Sequence, residues 1–238
     1  MSVDILAIAA HRDDVELTCA GTLLRAVDSG YRTGILDLTA GETGTRGSAD
    51  LRAEEASRAA AVLGVDERRN AALPDAHLEN SEDTRRIVVA EIRHFAPRVV
   101  ILPFPVGRHP DHRVASELGR DACFLAGLAR YDGSGTPHRP HKVLYALSYR
   151  EDPVKPTFVV DISQQFDRKL AAIRCYSSQF DGANSAGEIF PTGQDLYSLV
   201  ETQNAHYGSL IRTRYGEPYF THETMAVEDV VTLAVQSI

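Results

Sequence analysis

The stretch Val3–Ala10 (VDILAIAA), followed without a break by His11-Arg12-Asp13-Asp14 and then by Val15–Ser29 (VELTCAGTLLRAVDS), decides the fold. The first eight residues are a β-branched and aliphatic run of strand length. After the polar turn, Leu17, Ala20, Leu23, Leu24 and Val27 recur at helical spacing, and Gly30 supplies a C-cap. A buried strand that feeds a helix through a short turn is the first half of a βαβ unit.

The pattern repeats outward from this unit. Thr33–Leu38 (TGILDL) reads as a second strand, and a glycine-punctuated loop, Gly41–Gly47 (GETGTRG), follows it. Ala49–Leu63 is an amphipathic helix closed by Gly64. A short strand near Asn70–Leu73 leads to a helix over Glu82–Phe95, which Pro97 stops. Arg98–Leu102 (RVVIL) has the continuous apolar character of a strand buried on both faces, and His112–Leu128 is the helix after it. Lys142–Ser148 and Thr157–Ile162 read as two further strands outside the βαβ order. Helices follow over Gln164–Tyr176 and Asp195–Arg214, with a mobile surface loop over Asp181–Gly193 between them. This alternation predicts an α/β fold, a single Rossmann-like domain over residues 1–238 with a mainly parallel sheet flanked by helices. No composition break, repeat or low-complexity tract divides the chain.

The bulk composition excludes several classes. An apolar share of 43% and a charged share of 24% are those of a globular protein. No apolar run approaches the roughly 20 residues of a membrane span. Asp4 interrupts the N-terminal run and no basic region precedes it, so no secretory signal is expected. Cys19, Cys123 and Cys175 lie far apart, which argues against disulfides and against a thiolate zinc site. The expectation is a cytoplasmic protein. A net charge of −8 offers no electrostatic footprint for nucleic acid, although a local cationic pocket for a small anion stays open.

Two segments carry the chemistry. His11-Arg12-Asp13-Asp14 ends the first strand, and His109-Pro110-Asp111-His112 follows the strand at Val99–Leu102. Ligands of open α/β sheets bind outside the carboxyl ends of the strands, so both segments are expected at the strand C-terminal edge. A catalytic zinc-type site uses three ligands drawn from His, Asp and Glu. These segments provide two histidines and a carboxylate for a metal, with a carboxylate left as base and a histidine as acid. Each segment alone also reads as a capped helix start, because Asp suits the N-cap and Pro the first turn. Together they supply three histidines and three aspartates at equivalent strand ends, and capping needs no histidine. The rival dinucleotide reading lacks its required residues, since the first turn has no G-x-G-x-x-G and its two carboxylates would repel phosphate.

At these residues the chain resembles the PIG-L/LmbE-like N-acetylglucosaminyl deacetylases, which are marked by H-x-D-D at a strand end and a later H-P-D-H. It is most similar to the bacillithiol-biosynthesis branch, which acts on N-acetylglucosaminyl malate. The accompanying stretches are Gly41–Gly47, Leu51-Arg52, Leu73-Pro74-Asp75, Arg108–His112, Pro137–Pro140, Ser178–Phe180 and Tyr215–Pro218. The resemblance implies that His11, Asp14 and His112 bind the metal, that Asp13 is the general base, and that His109 is the acid or oxyanion stabiliser, oriented by Asp111. Arg52 is implied as partner of the malate carboxylate, which a guanidinium fork matches. Tyr197 is a candidate substrate contact, beside its plainer reading as an amphipathic-helix tyrosine. His77, His138, His141, His206 and His222 read as surface or structural residues.

The resemblance further implies Zn²⁺ as the metal, with Fe²⁺, Co²⁺ or Mn²⁺ acceptable to the same ligands, and a homo-oligomer of trimer or hexamer type. Two positions depart from the family pattern. Arg12 stands where Pro or a small residue is usual, and Thr202-Gln203 where Ala-Arg is common. The expected activity is hydrolysis of an N-acetyl group from a glucosamine-containing small molecule. The rivals are deacetylation of another amino sugar (a chitin fragment, an inositol glycoside, an antibiotic) and non-catalytic sugar binding on the same fold.

Overall fold

The computed structural model describes residues 2–147, 154–181 and 195–235. The expected surface loop at Asp181–Gly193 lies outside them apart from Asp181, as does Ser148 at the end of an expected strand. Among the described residues one sheet of seven strands forms the centre: β1 (Ile5–Ala9), β2 (Thr33–Thr39), β3 (Glu67–Leu73), β4 (Val99–Pro103), β5 (Lys142–Ala146), β6 (Phe158–Asp161) and β7 (Gly216–Phe220). Their order is β3-β2-β1-β4-β5-β7-β6. β1 to β5 run parallel, so β5 continues the βαβ order that the sequence reading denied it, whereas β7 is antiparallel to both β5 and β6. The chain is an α/β domain, as the alternating pattern predicts.

Strand alternation divides the core into two layers. Leu6 and Ile8 of β1 face a layer with Leu36, Val88, Ile92, Phe95, Val100 and Leu102. Ala7 and Ala9 face the other, with Leu23, Leu24, Ile35, Leu63 and Ile101. Helices α4 (Glu82–Phe95) and α5 (Pro110–Ala126) contribute to the first layer, and α3 (Ala49–Leu63) to the second. Among the described residues no helix is long and apolar enough to cross a membrane.

The structure corrects the reading at several elements. The helix expected over Val15–Ser29 is two, α1 (Asp14–Thr18) and α2 (Ala20–Asp28), broken at Cys19. The Glu217 carboxylate explains the break, because it accepts from the amides of Gly21 and Thr22 at 2.8 and 2.7 Å and so caps a new helix start. β3 begins at Glu67 rather than Asn70; it is an edge strand, and its charged residues hide the apolar signal. β7 lies between β5 and β6 but carries Pro218, which masks an inner strand in sequence. The late helices are shorter than expected: α6 (Phe166–Arg174), then a turn α7 (Ser177–Phe180), and α8 (Leu196–Leu210).

β1 and β4 are neighbours at the centre of the sheet, and strand order reverses between them. The crevice outside their carboxyl ends is the topological switch point of the fold. His11–Asp14 and His109–His112 both leave the sheet there.

Candidate metal centre

The first segment forms its turn with its own side chains. The His11 amide donates to Asp14 Oδ2 at 2.9 Å, while Asp13, the N-cap of α1, makes no side-chain cap bond. Its carboxylate is thereby left for other use. In the second segment His109 is the N-cap of α5; its Nδ1 accepts from the Asp111 amide at 3.2 Å, and Pro110 occupies the first helical position. Capping is thus real at the second segment, but a histidine ring does it.

Three candidate ligand residues converge. His11 Nδ1 lies 3.3 Å from His112 Nε2 and 3.3 Å from Asp14 Oδ2, and His112 Nε2 lies 3.1 Å from Asp14 Oδ1. Tetrahedral bonds of about 2.0–2.1 Å from N and O to a zinc-type ion put neighbouring ligand atoms about 3.3 Å apart, so this donor set fits a divalent cation. His11 also groups with His109 and Asp111. That second grouping uses the other side of its ring, since Nε2 faces Asp75 Oδ1 at 3.1 Å and Asp111 Oδ2 at 3.4 Å. The three histidine rings pack together, His109 and His112 nearly parallel with centroids 4.8 Å apart.

The electrostatics ask for a cation. Burial alone would lower the pKa of His11, yet hydrogen bonds to Asp111, Asp14 and Asp75 overcome it and push it up to about 12. Burial likewise opposes charge on Asp14, but the positive field and hydrogen bonds of His112 and His11 hold its carboxyl well below the usual range. His112 is raised, with Asp14 outweighing burial. His109 goes the other way: burial and the nearby His112 and His11 lower it, which favours a neutral ring. Since its Nδ1 accepts a hydrogen bond, the proton of that neutral ring sits on Nε2.

Asp111 orients His109 through its backbone N–H, while its carboxylate turns to His11 Nε2 and the Ala76 amide. The Arg52 guanidinium, 6% exposed, reaches Asp13 Oδ1 at 3.4 Å and donates to the Gly41 carbonyl at 3.1 Å. The structure therefore joins Arg52 to the HRDD segment. Tyr197 makes its contacts elsewhere: its hydroxyl donates to Asp181 at 3.2 Å and its ring lies under Arg174. Arg12 points away from the histidines and donates to the Ala49 carbonyl at 2.6 Å. A cavity of about 100 Å³ opens beside Asp14, His109 and His112, walled by apolar Val15, Phe104 and Val106.

Two groups of residues at the site were not legible from spacing. Asp75 sits in a stretch that the resemblance marks, yet nothing in its spacing assigns it to His11. Arg68 donates to the Arg12 carbonyl, as does the Tyr176 hydroxyl, and it pairs with Asp37 at 2.8 Å and Glu16 at 2.6 Å. This buried network holds the peptide that links His11 to Asp13. Burial pushes Glu16 up to about 7 against the pull of Arg68. A charged residue in an edge strand was the only signal for Arg68, and it is a weak one.

The sequence profile described as GlcNAc-PI de-N-acetylase, PIG-L, matches residues 6–123. Diacetylchitobiose deacetylase of Thermococcus kodakarensis is 32% identical over 232 residues, covering 90% of this chain and 80% of that protein. The chain belongs to the PIG-L family. As a PIG-L family member it is an enzyme, an N-deacetylase and so an amide hydrolase. Among solved structures, a conserved protein of Thermus thermophilus is 35% identical with a TM-score of 0.85, over 95% of this chain and 98% of its own. An N,N'-diacetylchitobiose deacetylase of Pyrococcus horikoshii, solved with its inhibitor, is 26% identical with a TM-score of 0.78, over 91% and 82%. The PIG-L match spans both histidine-aspartate segments.

Proposed function

We propose that this PIG-L enzyme removes the N-acetyl group from a glucosamine-containing small molecule, using one divalent ion held by His11, Asp14 and His112. The observation that carries the reading is the convergence of those three residues, with donor atoms 3.1 to 3.3 Å apart, at the switch point. When bound, such an ion polarises the amide carbonyl and acidifies water. Zn²⁺ is the ion of the proposal, and Fe²⁺, Co²⁺ or Mn²⁺ suit the same ligands.

The protein's own residues supply the proton traffic. Asp13, uncommitted to capping, takes the proton of the attacking water and passes it to the amine nitrogen as the C–N bond breaks, which leaves acetate and the free amine. His109, neutral with its proton on Nε2, donates a hydrogen bond to the oxyanion, and Asp111 keeps that tautomer through its backbone N–H. Arg52 steadies Asp13 and offers its remaining N–H groups to a substrate carboxylate; Tyr197 is retained as a substrate contact on the resemblance alone. The finer reading of the substrate is N-acetylglucosaminyl malate, supported by the accompanying motifs and by Arg52 beside the site. The relative that acts on diacetylchitobiose supports a second, a chitin fragment. A cytoplasmic homo-oligomer belongs to the same proposal, supported by the free cysteines and by the exposed Val230, Val231 and Val235.

Acetate release from N-acetylglucosaminyl malate, diacetylchitobiose and N-acetylglucosamine by metal-loaded protein tests this. Asp13→Asn should keep the metal and lower kcat by roughly 10²–10⁴, the usual span for a general base. Silence on every amino sugar would favour a sugar-binding protein. Loss of metal from Asp13→Asn would exchange the roles of Asp13 and Asp14.

A further inference from the structure

We infer that Asp75 is a positioning residue that fixes the ring of His11 for metal binding and ties it to the Gly41–Gly47 loop. The inference rests on the reading of His11 as a ligand through Nδ1. A histidine ligand needs its other nitrogen held, because the ring must keep one tautomer and one orientation for the lone pair to face the ion. For His11 that nitrogen is Nε2, and the nearest acceptor is Asp75 Oδ1 at 3.1 Å, with Asp111 Oδ2 at 3.4 Å. Asp75 is 4% exposed, so the contact is dry and directional.

The surroundings of Asp75 are built for this purpose. Its second oxygen, Oδ2, accepts from the Thr43 amide at 2.9 Å and the Thr43 hydroxyl at 2.6 Å, both in the Gly41–Gly47 loop. Its own amide donates to Glu42 Oε1 at 2.8 Å. The next residue, Ala76, holds a φ of +61°, a left-handed conformation that costs a non-glycine residue energy. That strained turn aims the Ala76 amide at Asp75 Oδ1 and Asp111 Oδ2, at 2.9 and 2.8 Å, so one N–H braces both carboxylates that flank His11. A plain loop tether would need only Oδ2. The geometry instead divides the carboxylate, with one oxygen for the loop and one for the ligand.

The test is metal affinity without substrate, measured by chelator competition with Zn²⁺, and with Co²⁺ for its absorption spectrum. Asp75→Ala should weaken binding by roughly 10- to 100-fold, the usual effect of removing such a partner. Asp75→Asn, whose amide oxygen still accepts from Nε2–H, should recover part of that loss. Thr43→Val removes the hydroxyl of the loop half while its amide still donates, and should leave affinity within about twofold. Ring-nitrogen NMR of the loaded protein should show His11 protonated on Nε2, with that signal displaced in Asp75→Ala. If Asp75→Ala does not fold, the Asp75→Asn and Thr43→Val comparison still decides. Unchanged affinity and tautomer in the Asp75 variants, or an equal loss in Thr43→Val, would reduce Asp75 to a loop tether. A wild-type chain that bound neither metal would overturn the ligand assignment instead.

Discussion

Arg52 answers to two partners, and its geometry sets what its removal should do. The guanidinium bridges Asp13 and the Gly41 carbonyl, and Nε finds no partner among the described residues. Gly41 permits this approach: its φ is +71°, and a Cβ there would lie 2.2 Å from Arg52 Nη1. A charge-assisted pair with a substrate carboxylate is worth about 1.5–3 kcal/mol, or roughly ten- to a hundred-fold in kcat/KM. If Arg52 grips malate, Arg52→Ala should penalise N-acetylglucosaminyl malate by that factor beyond any loss on plain N-acetylglucosamine, with the excess carried mainly in KM. An equal loss on both, carried in kcat, would make Arg52 a support for Asp13 alone and remove the physical argument for malate. Residue types were legible from sequence here: the two segments and Arg52 do meet. Their pairing was not, because Arg52 reaches Asp13 only once α3 is folded against the turn after β1.

At the scale of elements, the sequence was read well wherever a side-chain period matched the element and poorly wherever a distant group overrode it. α3 and α4 carry intact helical spacing and clear caps, Ser48 and Ser81, and their bounds were legible. The break at Cys19 was not, because its cause is nearly two hundred residues away. Glu217 of β7 caps α2 with both oxygens and pairs with Lys169 of α6 at 2.6 Å, and both of these side chains are fully buried. Thr22 adds a hydroxyl bond to Oε2 at 2.7 Å, and Asn204 shares the ammonium at 3.3 Å. Removing one partner of a buried pair strands the other's charge in a dry site. Glu217→Gln should therefore destabilise the fold by about 3–5 kcal/mol, read as a lower urea midpoint with an unchanged slope. A change below about 1 kcal/mol would mean that water reaches Lys169 and that the break in the helix has another cause.

For the molecule as a whole, topology followed from the alternating pattern because β1, β2 and β4 are buried apolar runs and the crossovers between parallel strands are periodic helices. The antiparallel side of the sheet was less legible, since β7 is interrupted by Pro218. The position of the site followed from topology alone: two polar turns at the ends of β1 and β4 must meet where strand order reverses. That meeting couples global stability to pH and, with the proposed ligand set, to metal. In the metal-free protein His11 is raised from 6.5 to about 12, so its contribution is complete below about pH 6.5 and drains as pH rises toward 12. Asp14, Asp75 and Asp111 are depressed from 3.8, so theirs is present above about pH 4 and is lost on acidification. The metal-free chain should be most stable between about pH 4 and 6.5. An ion on the proposed ligands would compete with the protons on His11 and His112, and its binding would release at least one at neutral pH. Added Zn²⁺ should therefore raise Tm more at about pH 8 than at about pH 6, since affinity for the folded state grows as the protons leave. Titration calorimetry in buffers of different ionisation enthalpy measures the same release directly. A metal-induced rise in Tm that is flat with pH, with no proton release, would show that the folded metal-free site does not hold His11 as an imidazolium among three carboxylates.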